Sequence, residues 1–339
     1  MRPPEIIFDE RVSEDHKKAV CEYIARFPDG GPPAIISLEH FCLLTGLTIE
    51  AVFGITNSAH AFYRSFNVRK ANGGNRRIDA PLPTALLAQR WILSNILEKK
   101  ECHPAAKAYV KGQSIRTNAR FHRAQKYVLK VDVSNFFGSI KESHIYEMFR
   151  GFGYTKPVST GLSKICCLNG SLPQGAATSG YLSNILLSEF DEHMLKFCRD
   201  RNLRYTRYAD DIAISGNKID RDEMIEKISS LFKPLSLRIN RGKTKLIPQS
   251  GRQKIAGVVV NDKLSVQKDY RRGIRQAHYF IMKHGIFGHA RFVKEKDPKA
   301  LLERIIGQIS HTLFIRKDDA DLMSMKNDLL RERFSVFGY

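Results

Sequence analysis

Apolar positions along the chain follow two periods, and the switches between them mark its elements. Tyr127-Val128-Leu129-Lys130-Val131-Asp132-Val133 alternates with period two, which predicts a strand burying Leu129, Val131 and Val133 with Asp132 opposite. Leu203-Arg204-Tyr205-Thr206 and Ile212-Ala213-Ile214-Ser215 read as paired strands, so Ala209-Asp210-Asp211 falls at a tight hairpin tip. A second hairpin is expected where Phe62–Lys70 and Arg76–Pro81 flank Gly73-Gly74. Leu237–Leu246 resumes strand and turn character, and Ile255–Asp262 begins a further hairpin. Period 3.6 governs other stretches. A helix follows Pro83, with Leu86, Leu87, Trp91, Ile92, Ile96 and Leu97 on one stripe. Ser139-Ile140-Lys141-Glu142 has the form of a capping box opening a helix through Phe149. One long helix is expected under Leu182, Ile185, Leu186, Phe190, Met194 and Phe197, and a shorter one over Met224–Leu231. At the ends the pattern is helical: Glu14–Arg26 and Leu38–Thr45, then Asp269–His284, Leu301–Phe314 and Ala320–Val336.

Composition narrows what such a chain can do. No apolar run approaches the ~20 residues of a membrane span, and Met1–Glu5 lacks a signal-peptide core, so the expected location is cytoplasmic. The six cysteines form no Cys-x-x-Cys pair and no zinc-like spacing with His, which leaves reduced thiols. A formal charge of +20 points to a polyanion, because Lys and Arg displace the counterions of nucleic-acid phosphates.

Against that charge, adjacent Asp210 and Asp211 stand out. Two neighbouring carboxylates repel, and a divalent cation removes the repulsion; magnesium takes one or two carboxylates plus phosphate oxygens. The same residues could equally form an acidic surface turn. Asp132, just short of its strand end, is a second candidate of this kind. Lys70, Arg76 and Arg77 at the Gly-Gly hairpin tip could clamp a triphosphate. Asn118-Ala119-Arg120-Phe121-His122 mixes charge and rings suited to backbone contact and base stacking. Ser171-Leu172-Pro173-Gln174-Gly175-Ala176-Ala177-Thr178-Ser179 is a small-residue loop that would let a nucleotide or template backbone approach closely. The basic helices from Lys268 onward, with Arg271, Arg272 and Arg275, have the character of a surface that tracks a duplex.

Taken in order, Asp132 with its paired Phe136-Phe137, Leu-Pro-Gln-Gly-x-x-Thr-Ser, Tyr208-Ala209-Asp210-Asp211 and Asn240-x-x-Lys243 resemble the motifs of reverse transcriptases, over roughly Tyr63 to Asn261. Asn118-Ala119-x-x-His122 is similar to a pattern of the bacterial retron group. The chain departs from that group at Ile255-Ala256-Gly257, where retron enzymes carry Val-Thr-Gly, and at Gly180, where many relatives have Pro.

The resemblance implies an α+β right-hand polymerase: fingers and palm built on an antiparallel sheet packed by helices, and a C-terminal helical thumb. On this sequence the divisions fall at an N-terminal helical extension 1–60, fingers and the start of the palm 61–131, palm 132–262 and a basic thumb 263–339. It implies that Asp132 and Asp210 ligate two magnesium ions, or manganese in their place, with Asp211 as a third, less direct carboxylate. Lys70, Arg76 and Arg77 would bind the incoming deoxynucleoside triphosphate, and Lys243 would bind or protonate the pyrophosphate. Phe137 would be the steric gate against a ribose 2′-hydroxyl, Gln174 and Gly175 would line the nucleotide and template pocket, and Tyr208 would pack near the primer end. Asn118, His122, Lys268, Arg271, Arg272 and Arg275 would contact RNA. A retron enzyme further implies a structured noncoding RNA copied into a branched RNA–DNA molecule (msDNA), priming from a 2′-hydroxyl, and an effector protein in phage defence. A mobile-element or defence reverse transcriptase with other priming, and a catalytically inactive RNA-binding scaffold, are the alternatives; three intact carboxylates weigh against the scaffold.

Overall fold

The computed structural model describes residues 13–69 and 73–338, so Lys70 lies outside the described residues. In chain order, α1 (Glu14–Ile24), α2 (Leu38–Thr45) and α3 (Ile49–Asn57) precede the ribbon β1 (Tyr63–Arg69) and β2 (Asn75–Pro81). Next come α4 (Pro83–Asn95), whose Pro83 supplies a preset φ at the first turn, and α5 (Ile115–Phe121). The strand β3 (Tyr127–Val133) leads into α6 (Phe136–Ser139), α7 (Glu142–Gly151), α8 (Lys156–Cys166), α9 (Ser179–Leu186) and α10 (Ser188–Arg199). The hairpin β4 (Arg204–Tyr208) and β5 (Asp211–Gly216) follows, then α11 (Arg221–Phe232), β6 (Ile239–Pro248) and the small hairpin β7 (Lys254–Ile255) and β8 (Val258–Val259). Three helices close the chain: α12 (Lys268–Phe292), α13 (Pro298–Ile315) and α14 (Ala320–Phe337).

β3 lies at the centre of an antiparallel sheet ordered β4-β5-β3-β6. Its alternation sends Leu129, Val131 and Val133 into the main apolar core, with Ile212 and Ile214 from β5 beside them. The opposite face is covered as well. Val128 and Ala213 pack there against Ala119 of α5, Ile255 and Val258 of the small hairpin, and Ile315 of α13. That hairpin turns through Ala256 and Gly257, both at positive φ (44° and 90°), so the residues where the chain departs from Val-Thr-Gly form a tight turn. The C-terminal helices enclose an apolar core of their own, built on Ile281, Leu302, Ile309, Leu322 and Leu329. Among the described residues no single helix is long and apolar enough to cross a membrane.

The expected elements appear, with differences that have physical causes. The long helix expected through Phe197 is two, α9 and α10, meeting at Leu187, whose φ and ψ (−90°, 9°) leave the helical region. The Ser139–Glu142 capping box does not form: Ser139 ends α6, and α7 begins at Glu142 with His144 Nδ1 accepting from the Lys141 N–H at 3.2 Å. α12 runs past His284 but breaks at Gly285 (φ 69°, ψ 167°), where the freed N–H of Ile286 donates to Glu332 of α14. α3 was not legible in the sequence pattern.

The largest correction concerns Asn118 and His122, expected to meet RNA. They are 1 % and 0 % exposed, and cannot reach a solvent-borne ligand. Thr206 Oγ1 donates to Asn118 Oδ1 at 2.5 Å, which leaves Thr206 Oγ1 to accept from His122 Nε2 at 2.7 Å. His122 Nδ1 in turn accepts from Ser215 Oγ at 2.7 Å. The imidazole is therefore neutral, and burial, with Arg204 adding, pushes it down to about 3. The network pins the β4–β5 hairpin to α5.

Because the unfolded imidazole protonates at its ordinary value while the folded one stays neutral, this stabilisation is complete above pH ~6.5 and is lost progressively from there toward pH ~3. We expect wild-type unfolding free energy to fall by about 1 kcal/mol more than that of His122→Gln between pH ~7.5 and ~5.5. Urea titrations at the two pH values measure it; parallel losses would mean that the His122 network does not bear on acid stability.

Candidate active site

The β4–β5 hairpin closes in two residues, Ala209 and Asp210, between paired Tyr208 and Asp211. Ala209 takes φ 55°, a conformation the first central residue of such a turn ordinarily leaves to Gly, at a cost of about 1–2 kcal/mol. A buried cation holds it there. Arg207 is 0 % exposed, and its Nη1 donates to the Ala209 carbonyl at 3.3 Å and to Asn184 Oδ1 at 3.1 Å. The rest of its fork grips Asp191 of α10, Nε to Oδ1 at 2.9 Å and Nη2 to Oδ2 at 2.6 Å. Tyr205 donates its hydroxyl to the same carboxylate at 2.5 Å. Neither Arg207 nor Asp191 was singled out in the sequence, although Asp191 interrupts the apolar stripe of α10 between Phe190 and Met194, a position where only a paired charge is tolerated.

Asp210 is tied from the other side, its carbonyl accepting the Val133 N–H at 3.1 Å, which joins the hairpin tip to the end of β3. Asp132 stands directly across from Asp211 in the β3–β5 register. Like charges so placed oppose folding. Asp210 carries the result: its carboxyl is pushed above the ordinary value, first by burial and next by Asp211, with Asp132 adding and Arg76 opposing.

A counter-charge reaches Asp132 through an irregularity in β6. Asp132 pairs with Asn240 and Lys130 with Lys245, so Val131 alone faces the four residues Arg241 to Thr244. The surplus arches outward, closed by Thr244 Oγ1 on the Asn240 carbonyl at 2.9 Å. Lys243 rides the arch and brings Nζ within 3.0 Å of Asp132 Oδ2 and 3.2 Å of Oδ1.

Asp132 and Asp210 line one cleft of about 680 Å³, together with Arg76, Arg77, Phe137, Gln174 and Lys243. The fold thus assembles seven of the residues named from sequence. Others have different work. Arg77 donates to Asp79 Oδ1 at 2.9 Å and to Ser65 Oγ at 3.1 Å, whereas Arg76 acts on Asp210. Gly175 (φ 135°) admits a strand, since an added Cβ would stand 2.7 Å from the Asp79 carbonyl oxygen of β2. On α12, Arg271 binds Asp319, the N-cap of α14, and Arg275 binds Asp321 within it, each at 2.5 Å, while Arg275, Lys268 and Arg272 stay exposed. The six cysteines are unpaired thiols.

The donor set fits a divalent ion completed by substrate. Among the described residues no three acidic, His or Cys side chains form a metal-binding cluster on their own. Magnesium needs fewer: one or two carboxylates, with phosphate and water oxygens filling its octahedron.

A strand carboxylate beside a hairpin carboxylate, faced by a basic ribbon, is the arrangement expected of a nucleotide-polymerising palm, and comparison with known proteins agrees. The family model described as reverse transcriptase (RNA-dependent DNA polymerase) matches residues 68–260. The chain belongs to the reverse transcriptases and is an RNA-directed DNA polymerase. The retron Ec86 reverse transcriptase of Escherichia coli is 30 % identical over 290 residues, covering 83 % of this chain and 90 % of that protein. The retron Ec83 reverse transcriptase of the same species is 30 % identical over 228 residues, covering 62 % and 73 %. Within the family, then, this is an enzyme of the retron type. Among solved structures, telomerase from Candida albicans aligns with 81 % of this chain and 64 % of its own, at 10 % identity and a TM-score of 0.46.

A carboxyl whose pKa is raised in the fold favours folding at low pH and penalises it as pH rises through the shifted value. Asp210→Asn removes that penalty and is expected to raise Tm by about 1–3 °C at neutral pH. The gain should shrink as pH falls toward the ordinary carboxylate range, where the wild-type carboxyl takes up a proton. Adding magnesium ions should restore the wild type alone. Differential scanning calorimetry checks this; a variant no more stable than wild type at neutral pH would mean that Asp210 is not under electrostatic stress.

Proposed function

We propose that this enzyme starts DNA synthesis from a 2′-hydroxyl within a structured noncoding RNA and copies part of that RNA into a branched RNA–DNA molecule. We further propose that enzyme and product act with an effector protein in defence against phage. The observation that carries the reading is the convergence of Asp132 and Asp210 with Arg76 and Phe137 on one cleft, in a chain whose named relatives are retron enzymes. Residues 61–131 serve as fingers leading into the palm, 132–262 as palm and 263–339 as thumb, with 1–60 as an extension. The separate apolar core of α12–α14 supports the last division.

Asp132 and Asp210 would hold magnesium, which when bound lowers the pKa of an attacking hydroxyl and neutralises the charge leaving as pyrophosphate. This chain's own residues do the rest. Arg76 offers a bidentate grip on the triphosphate. Lys243, an ammonium already seated on Asp132, is within reach of the departing phosphates and can supply a proton or a charge. Phe137 closes the sugar pocket against a 2′-hydroxyl, and Gln174 presents an amide to the base or template. The exposed Lys268 and Arg272, within a chain of net charge +20, give affinity for phosphate backbones without reading sequence.

Asp210→Asn and Asp132→Asn should each abolish deoxynucleotide incorporation while changing RNA affinity by less than about threefold, since phosphate contacts carry that affinity. Sequencing nucleic acid that co-purifies with the wild type should return DNA joined to RNA, and RNA alone with Asp210→Asn. Full extension by the variant would remove the carboxylates from the chemistry. Unbranched DNA from the wild type would remove the 2′-hydroxyl priming. Phe137→Ala should raise ribonucleotide incorporation by about tenfold or more relative to deoxynucleotide, the scale of discrimination set by one steric contact. An unchanged ratio in primer extension would place the gate elsewhere.

A further inference from the structure

Tyr109 stands in the loop between α4 and α5 with φ 59°, a conformation few aromatic residues adopt. Its ring lies over Gly180 of α9: a Cβ at that position would stand 2.4 Å from the ring's Cγ and 2.7 Å from each Cδ. One turn further along the same face of α9, Asn184 donates from Nδ2 to the Ala108 carbonyl at 2.7 Å. On the preceding side the Lys107 N–H donates to the Arg207 carbonyl at 2.8 Å. The backbone leading into Tyr109 is thus held by α9 and by β4, and α9 provides both the tether and the space for the ring.

Beyond Gly180 the ring meets Phe137, with centroids 6.4 Å apart and planes inclined by 59°. Phe137 also contacts Phe136, at 5.1 Å, and Phe136 is 5 % exposed. Phe137 therefore touches both a buried ring and a second ring that stands 56 % exposed at the cleft wall. Both distances lie in the range where aromatic pairs attract.

We infer that Tyr109 is a positioning residue for sugar selection: its ring fixes Phe137 at the sugar pocket, and Gly180 is the space that lets it do so. The inference rests on Phe137 being the gate. A side chain at 180, the Pro of many relatives included, would occupy the volume of the Tyr109 ring, so residues 109 and 180 form a matched pair that sets how strictly ribose is refused.

The test is single-nucleotide extension of an annealed primer–template by the full chain, comparing kcat/KM for a deoxynucleotide and its ribonucleotide. Tyr109→Ala should lower discrimination about threefold to tenfold, the range of one aromatic pair. Most of the change should appear as faster ribonucleotide insertion, with deoxynucleotide KM little altered. Tyr109→Phe should keep wild-type discrimination, because the ring acts and the hydroxyl does not. Gly180→Ala should shift discrimination the same way by displacing the ring. Tyr109→Leu, which keeps bulk in the loop, covers the case in which the alanine variant fails to fold, and should also lower discrimination. Tyr109→Ala combined with Phe137→Ala should fall no further than Phe137→Ala alone. Loss of discrimination with Phe137→Ala but not with Tyr109→Ala or Tyr109→Leu overturns the inference. So does an equal rise in KM for both nucleotides, which would mean that the ring touches a part they share. If Phe137→Ala itself changes nothing, the gate assignment fails instead.

Discussion

The buried Arg207–Asp191 pair is the constraint on which the β4–β5 hairpin depends. A guanidinium with no exposure to water is tolerable only when its donors are taken up, and here Asp191, Asn184 and the Ala209 carbonyl accept from it. Removing one partner from such a pair costs about 3–5 kcal/mol, because the other charge is stranded. That exceeds the strain of a left-handed alanine, so the turn presenting Asp210 is held by an interaction larger than the conformational penalty it opposes. The arrangement also fixes α9 and α10 relative to the sheet, since Asn184 belongs to one helix and Asp191 to the other. One ion pair thereby orients the hairpin tip and the helix packed beside the cleft.

Held in that position, the acidic residues are set against one another. Asp132 and Asp211 face each other across two strands, and Asp210 is partly withdrawn from water beside them. A fold selected for stability alone would not gather three carboxylates there. The arch in β6 relieves part of the repulsion by delivering Lys243 to Asp132, at the cost of regular pairing along that strand. Stress remaining at Asp210 is a feature that binding a cation would discharge, so site strain and affinity for the ion have one origin.

Much of this was legible in the sequence because strand alternation and motif order are local. β3, the β4–β5 hairpin, the basic ribbon and the C-terminal helices follow from period and turn residues. What was not legible depends on partners far along the chain. Asn118 and His122 look like polar surface residues until Thr206 and Ser215, more than eighty residues later, enclose them. Arg271 and Arg275 read as free cations until Asp319 and Asp321, at the start of α14, pair with them, and Arg275 keeps its exposure. Val128 and Ala213 belonged to the supposed outer face of the sheet, and only the small hairpin and α5 make that face a second interior. The break at Leu187 falls inside an unbroken helical period, whereas the one at Gly285 follows directly on the expected helix end at His284.

The contact between the Leu-Pro-Gln-Gly loop and β2 has a mechanical consequence. The Asp79 N–H donates to the Gln174 carbonyl at 2.9 Å, and the missing side chain of Gly175 lets the two backbones lie against each other. A ribbon clamped near its root behaves as a cantilever with its support at Asp79. Its root cannot swing as a hinged flap without parting that contact, so deflection is confined to the strand ends bearing Arg69 and Arg76 and grows with distance from the support. The stiffness of the ribbon is then set by its free length beyond Asp79, and lengthening or shortening that overhang would tune it.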